Sequence, residues 1–324
     1  MESIKKSLII IAIDILIFAL LYTFLPFERN ANIGICILIS VGILWITEAT
    51  HTAITALCVP FFAVIFGLEN TSSALKTFAD PVIFLFFGGF AIASALHIQA
   101  LDRFIANYLI YLAKGKMSLA IILLFCVTAL LSMWISNTAT AAIMLPLALG
   151  ILSNLKIDKD RNTFVFVLLG VAYSASIGGF GTLVGSPPNA IAAAYLQMNF
   201  FDWMKLGIPF MLIMLPSCII ILYLLLKPNL NTQFSIELEN TQWNHKKTIT
   251  LIIFTLTALA WIFSAKISSL LGGIDDLDTI IALACAIAIG VTKVATWKDI
   301  QNNTDWGVLW LFGGGFALSA ILKV

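Results

Sequence analysis

Charge is what this sequence has least of. Only 11% of its 324 residues are Asp, Glu, Lys or Arg, against about 25% in an ordinary soluble domain. Its 18 basic and 17 acidic residues cancel to a net charge of +1 with no basic run, so a nucleic-acid partner has no electrostatic footprint to find. Histidine is scarce as well: His51, His97 and His245 stand far apart and offer no metal-ligand spacing. The five cysteines (Cys36, Cys58, Cys126, Cys218, Cys285) sit in apolar stretches without a CxxC pair. That excludes a disulfide framework or a thiolate metal site and leaves them as small hydrophobes. No nucleophile–base pair or phosphate loop is present, and "GFGTLVG" misses the GxGxxG spacing by one residue with no strand before it. The chain does not read as an enzyme.

Apolar residues fill the space that charge leaves, at 60% of the chain and a mean hydropathy of +1.02. The runs 7–25, 117–135, 206–226 and 248–265 each approach the ~20 residues that cross a bilayer as a helix. Others are shorter or interrupted by Gly and Pro: 33–47, 52–68, 82–96, 138–155, 163–177, 279–292 and 308–322. No small-residue cleavage site follows the first run, so it reads as a retained span. The expectation is an all-α polytopic protein of the lipid bilayer with roughly eight to ten membrane segments. Lys5 and Lys6 favour a cytoplasmic N-terminus.

Two stretches repeat. "VIFLFFGGFAIASAL" (82–96) and "VLWLFGGGFALSAIL" (308–322) align without gaps. A Gly-Gly pair in so short an apolar run is expected to break the helix and turn it back as a re-entrant hairpin; the alternative is a short span whose glycines allow close packing. Internal repeats with broken helices are a common plan for transporters. The expected organisation is an N-terminal membrane segment (1–30), a first transporter repeat (31–226), a polar linker (227–247) and the start of a second repeat (248–324). The second copy is followed by almost nothing, so the second repeat is expected to be incomplete.

Three polar stretches lie in apolar surroundings. One is "SMWISNTATAAIMLP", with Ser132, Ser136, Asn137, Thr138 and Thr140. Another, "SIGGFGTLVGSPPN" (176–189), carries Thr182, Gly185, Ser186, Pro187 and Asn189. The third, "WITEATHTAIT" (45–55), holds Glu48 and His51. Four glycines and Pro187-Pro188 do not permit a continuous α-helix, and non-helical backbone at membrane depth must be buried in protein or line a cavity. Freed carbonyls attract hard cations, and helix N-termini attract anions. Ser-Asn-Thr beside such a break is the chemistry of a small cation site next to an anion site. Interhelical hydrogen bonding by Ser-Asn-Thr and helix packing at Gly181-xxx-Gly185 are the competing readings. Asp14, mid-span in the first run, is an intramembrane carboxylate with no evident cationic partner. His51 could carry protons or simply close a helix end.

The ordered set "WITEATHTAITAL" (45–57), "FLFFGGFAIASAL" (84–96), "SNTAT" (136–140), "GGFGTLVGSPPN" (178–189), "TWKDI" and "WGVLWLFGGGFAL" (296–318) resembles the divalent anion/sodium symporter family. The resemblance implies two inverted repeats, each with a re-entrant hairpin ending in Ser-Asn-Thr and a broken helix. It places Na⁺ on Ser132, Ser136, Asn137 and Gly185. It places an anionic substrate (a dicarboxylate such as succinate, or sulfate) on Asn137, Thr138, Ser186 and Pro187. Thr140, Thr182, Asn189 and Glu48 are further candidates. Na⁺ is the coupling ion, with no other cofactor, and the implied mode is an elevator-type symporter, homodimeric when complete, in the plasma membrane. His51 departs from the proline common at its position. The second Ser-Asn-Thr and second Pro loop are not in this sequence, so a second chain could be needed to supply them. A membrane subunit without transport of its own, or a Na⁺/H⁺ or arsenite carrier working through Glu48 or Asp14, are the alternatives.

Overall fold

The computed structural model describes residues 2–232 and 243–323, and every regular element among them is helical. Residues 233–242, the middle of the expected linker 227–247, lie outside the described residues. Five helical stretches are long and apolar enough to cross a membrane: Ile4–Phe24, Arg29–Thr47, Thr71–Ile98, Ile157–Gly181 and Phe200–Leu226. A sixth forms if the bent pair His245–Ile262 and Ser264–Leu270, kinked by 75°, is one span. Thr52–Ile65, Met117–Ser132, Asn137–Ile151, Leu277–Thr292 and Trp306–Ile321 are apolar but shorter. The expected eight to ten segments therefore divide into two kinds, because apolar runs in a sequence do not separate a crossing helix from a half-length one. The chain is an all-α, multi-pass integral membrane protein.

Two compact units are formed, Met1–Phe84 with Asp305–Val324 and Leu85–Thr304. The first holds α1 (Glu2–Phe24), α2 (Arg29–Thr47), α3 (Thr52–Ile65), α4 (Thr71–Lys76), the start of α5 (Pro81–Ile98) and α16 (Trp306–Ile321). Ile33, Ile37 and Val41 of α2, Val59 and Ala63 of α3, and Ala317, Leu318 and Ile321 of α16 make its core. Phe18 of α1 stacks on Phe66 at the end of α3, ring centroids 5.5 Å apart. His51 sits at the N-cap of α3, where its Nδ1 accepts from the Ala53 N–H at 3.3 Å. Asp14 is buried in α1 and accepts a hydrogen bond from the Ser40 hydroxyl of α2; its Oδ1 has no partner among the described residues.

The glycine pairs do not break their helices. Gly88-Gly89 lies inside unbroken α5 and Gly313–Gly315 inside unbroken α16, which corrects the expected hairpin turns there. In an apolar setting the backbone has no water to bond, so the helical ladder persists through glycine. The missing side chains serve close approach. A Cβ on Gly314 would lie 2.7 Å from the Ala56 Cα of α3.

The second unit contains the rest of α5, then α6 (Leu101–Tyr111), α7 (Met117–Ser132), α8 (Asn137–Ile151), α9 (Ile157–Gly178), α10 (Pro187–Leu196) and α11 (Phe200–Leu226). It continues with α12 (His245–Ile262), α13 (Ser264–Leu270), α14 (Leu277–Thr292) and α15 (Trp297–Asn303). α7 and α8 form a helical hairpin that packs on α9. Its core joins Leu124 and Phe125, Met144 and Ala148, and Phe166 and Val167, with Phe125 edge-on to Phe166 at 5.6 Å. α5 closes on α14 through Gly88, where a Cβ would meet the Ala282 carbonyl oxygen at 2.5 Å. α15 starts in a capping box: the Thr296 hydroxyl accepts from the Asp299 N–H, and Asp299 accepts from Thr296. Hydrogen bonds from the Thr296 hydroxyl and backbone N–H hold the Asp299 carboxyl below its ordinary range.

Candidate functional site

Two chain breaks meet inside the second unit. One is the tip of the α7–α8 hairpin, residues 133–136, which ends where Ser136 adopts an extended conformation (φ −55°, ψ 145°) and caps α8 by accepting from the Ala139 N–H at 3.4 Å. The other follows α9. The helix gives way to a 3₁₀ turn at Gly179–Gly181 and then to extended backbone at Thr182 (φ −134°) and Ser186 (φ −153°). α10 resumes with Pro187 in its first turn, where a missing N–H leaves no ladder bond unmade. The sequence thus produces a broken helix where its glycines and prolines cluster.

Side chains stitch the two breaks together. Thr182 Oγ1 donates to the Met133 carbonyl of the hairpin tip. Asn189 Nδ2 donates to the Gly179 carbonyl at 2.7 Å and the Thr182 carbonyl at 2.8 Å, holding the irregular segment to the start of α10. Trp203 Nε1 of α11 donates to the Phe180 carbonyl at 2.9 Å. On the far side of the tip Trp134 stacks parallel to Trp261 of α12 (6.3 Å, 9°), and its ring meets Phe254 edge-on at 5.0 Å. Thr182→Val keeps the shape and removes the bond to Met133, leaving a buried carbonyl unpaired, so a stability loss of about 1–2 kcal/mol is expected. Thermal unfolding of the purified chain checks it, and an unchanged midpoint would mean the stitch carries no weight.

Where the breaks meet, oxygens crowd together. Ser132, the buried last residue of α7, places its Oγ 2.7 Å from Asn137 Oδ1 and 2.6 Å from the Ala175 carbonyl of α9. A hydroxyl has one proton and here faces two acceptors. Further carbonyls are close. A Cβ on Gly185 would lie 2.5 Å from the Gly179 oxygen and 3.0 Å from the Ser132 carbonyl oxygen, and one on Gly179 would strike Asn137 Oδ1. The atoms gathered here are oxygens, although the Gly179 carbonyl also accepts from Asn189 Nδ2 and the Ala175 carbonyl from the Gly179 N–H. That chemistry suits a small hard cation.

Of the candidate residues, Ser132, Asn137, Gly185, Thr182 and Asn189 converge on this point. Ser136 and Thr138 are exposed at the start of α8, and Ser186 and Pro187 are half-buried at the start of α10. Thr140 is buried one turn into α8; its hydroxyl, like that of Ser174 in α9, has no partner among the described residues. Glu48 belongs to the other unit, exposed at the left-handed C-terminus of α2 (φ 50°). The carbonyls of Met133, Ala175 and Gly179 and the Trp134 stack escaped sequence reasoning: a carbonyl carries no residue-type signal. Beside the hairpin lies a cavity of about 730 Å³ between α5, α6, α8 and α15, with Ser136 on its wall.

A half-length helical hairpin whose polar tip meets a broken helix, in a multi-pass protein, is an arrangement common among membrane transport proteins. Residues 42–324 match the family of citrate transporters, and the chain belongs to that family, as its resemblance to the divalent anion/sodium symporters implied. It is 56% identical over 325 residues to an uncharacterized transporter of Haemophilus influenzae, covering 98% of this chain and 70% of the relative. An uncharacterized transporter of Methanocaldococcus jannaschii is 41% identical over 292 residues (89% and 65%). A sodium-dependent dicarboxylate transporter of Staphylococcus aureus is 29% identical over 308 residues (85% and 59%). The chain thus spans 59% to 70% of the length of these relatives.

Proposed function

We propose that the chain takes part in Na⁺-coupled transport of a small di- or tricarboxylate across the plasma membrane. The observation that carries this reading is the oxygen cluster of Ser132, Asn137, Ala175 and Gly185 at the junction of the hairpin tip and the broken helix. In this reading Na⁺ binds among those oxygens, Ser136 included. The carboxylate lies against the N-terminal turns of α8 and α10, near Asn137, Thr138, Ser186 and Pro187. Helix N-termini there supply a positive dipole end and free N–H groups. The bound cation adds positive charge beside the carboxylate, so each favours the other; this is coupling as a binding free energy. A carboxylate is preferred over sulfate because the matching family is described by citrate and the Staphylococcus aureus relative by dicarboxylate.

Movement by an elevator, a homodimeric scaffold, and a second chain completing the pocket belong to the same proposal. Uptake of labelled succinate into proteoliposomes, with an inward Na⁺ gradient or with choline in its place, is the test. Na⁺-stimulated uptake competed by citrate is expected. An inserted, folded chain that shows no Na⁺ stimulation, and no Na⁺-dependent rise in its unfolding temperature, would overturn the reading.

A further inference from the structure

The cavity beside the hairpin has a chemistry of its own. At about 730 Å³ it falls within the roughly 300–1,000 Å³ of small-molecule sites. Its polar wall is made by Ser94 and His97 of α5, Arg103 and Asn107 of α6, Asn303 of α15 and Ser136 at the hairpin tip. Among the described residues no Asp or Glu lines it.

Asp102 stands behind His97 of this wall, and its carboxylate is already occupied. Asp102 is buried, its Oδ2 2.9 Å from His97 Nδ1 and its Oδ1 accepting from the Arg103 N–H at 2.7 Å. This fixes the imidazole with its Nδ1 edge toward Asp102, as a carboxylate behind a histidine does in many binding sites. The Arg103 guanidinium makes no ion pair among the described residues. An arginine fork matches a carboxylate with two parallel hydrogen bonds. Ser94 is buried and accepts from Asn303 Nδ2 at 3.3 Å, which ties α15 to α5 across the wall. The opposite wall, Ile143, Pro146 and Leu147 of α8, is apolar and suits a carbon chain.

We propose that this cavity is a Na⁺-independent docking site for a small carboxylate, gripped by Arg103 and the Asp102-braced His97, with its inner edge at Ser136. It would hold the anion before it reaches the hairpin tip. The proposal rests on the transport reading for the choice of a carboxylate as the anion; the positive, acid-free wall stands by itself.

The experiment measures succinate binding to the purified full chain in nanodiscs, by titration calorimetry in choline chloride and again in NaCl, with sulfate as the comparison anion. Saturable succinate binding in choline is expected, tighter than sulfate. Arg103→Gln should weaken it by about tenfold or more, the worth of a charge-assisted pair. Arg103→Lys should recover part of the affinity, and Ala93→Phe, which fills the cavity without touching a charge, should abolish it. Binding in choline that both Arg103→Gln and Ala93→Phe leave intact would overturn the proposal, as would sulfate binding equal to succinate. Succinate binding seen only with Na⁺ would also overturn it and leave the transport reading standing. Arg103-dependent binding in choline, in a chain without Na⁺-stimulated uptake, would keep the docking site and remove the transport reading.

Discussion

Replacing Asn137 with alanine is expected to lower Na⁺ affinity by about ten- to a hundredfold, the usual worth of one ligand hydrogen-bonded to a charge. Asn137 Oδ1 is where the two chain breaks meet. It lies 2.7 Å from Ser132 Oγ and against Gly179, whose missing side chain leaves room for it. Alanine is a strong helix former, and the cap of α8 comes from Ser136, so the hairpin should survive the change. What is lost is one oxygen from the cluster. Na⁺ titration of the unfolding temperature reads this directly, since a ligand that binds only the folded state raises it with concentration. The wild-type chain should show a Na⁺-dependent rise that the variant needs far more Na⁺ to reach. A variant whose Na⁺ response matches wild type would remove Asn137 from the cation site, and with it the role assigned to the hairpin tip.

Gly185→Ala should do more damage with a smaller change. The new methyl points at the Gly179 carbonyl oxygen, 2.5 Å away, and at the Ser132 carbonyl oxygen, 3.0 Å away. Both are backbone atoms, so no flexible side-chain end can swing aside. Overpacking of this kind costs about 1–3 kcal/mol, and here the relief has to come from moving the Gly185 strand away from α7. The variant is expected to unfold earlier and to lose its Na⁺ response altogether. Gly42→Ala in α2 is the control: nothing lies within 4 Å of its Cβ position, and alanine in a helix interior is neutral or mildly stabilising. Equal behaviour of the two variants would show that the close approach of the breaks is not required.

The sequence made one part of this site legible and left another unread, for a physical reason. Gly178, Gly179, Gly181, Gly185 and Pro187-Pro188 state in residue type that a helix cannot continue, and the break between α9 and α10 falls there. Ser136 at the start of α8 is an ordinary capping residue, and it marks the hairpin tip. The same logic failed at Gly88-Gly89 and Gly313–Gly315. Glycine permits a break without requiring one, and in those helices it admits a neighbouring backbone. Asp102 and Arg103 belong to none of the polar stretches or motifs that stand out in the sequence. Only the fold shows that one is buried behind His97 while the other faces a cavity shared by four helices.

The bond between Asp14 and Ser40 bears on how the protein enters the membrane. The two residues are 26 apart in the chain, so at about 5–20 residues per second the ribosome delivers the serine roughly one to five seconds after the aspartate. A lone α1 in the bilayer would hold that carboxyl without its partner, and Asp near a helix centre costs about 2.5–3.5 kcal/mol. The apolar residues around it, Leu8 to Ile13 and Ile15 to Leu21, are enough to keep the helix in the membrane. They do not give it a fixed rotation. Ser40 of α2 supplies the hydroxyl, so the bonded, inward-facing state of Asp14 exists only once the second helix lies beside the first.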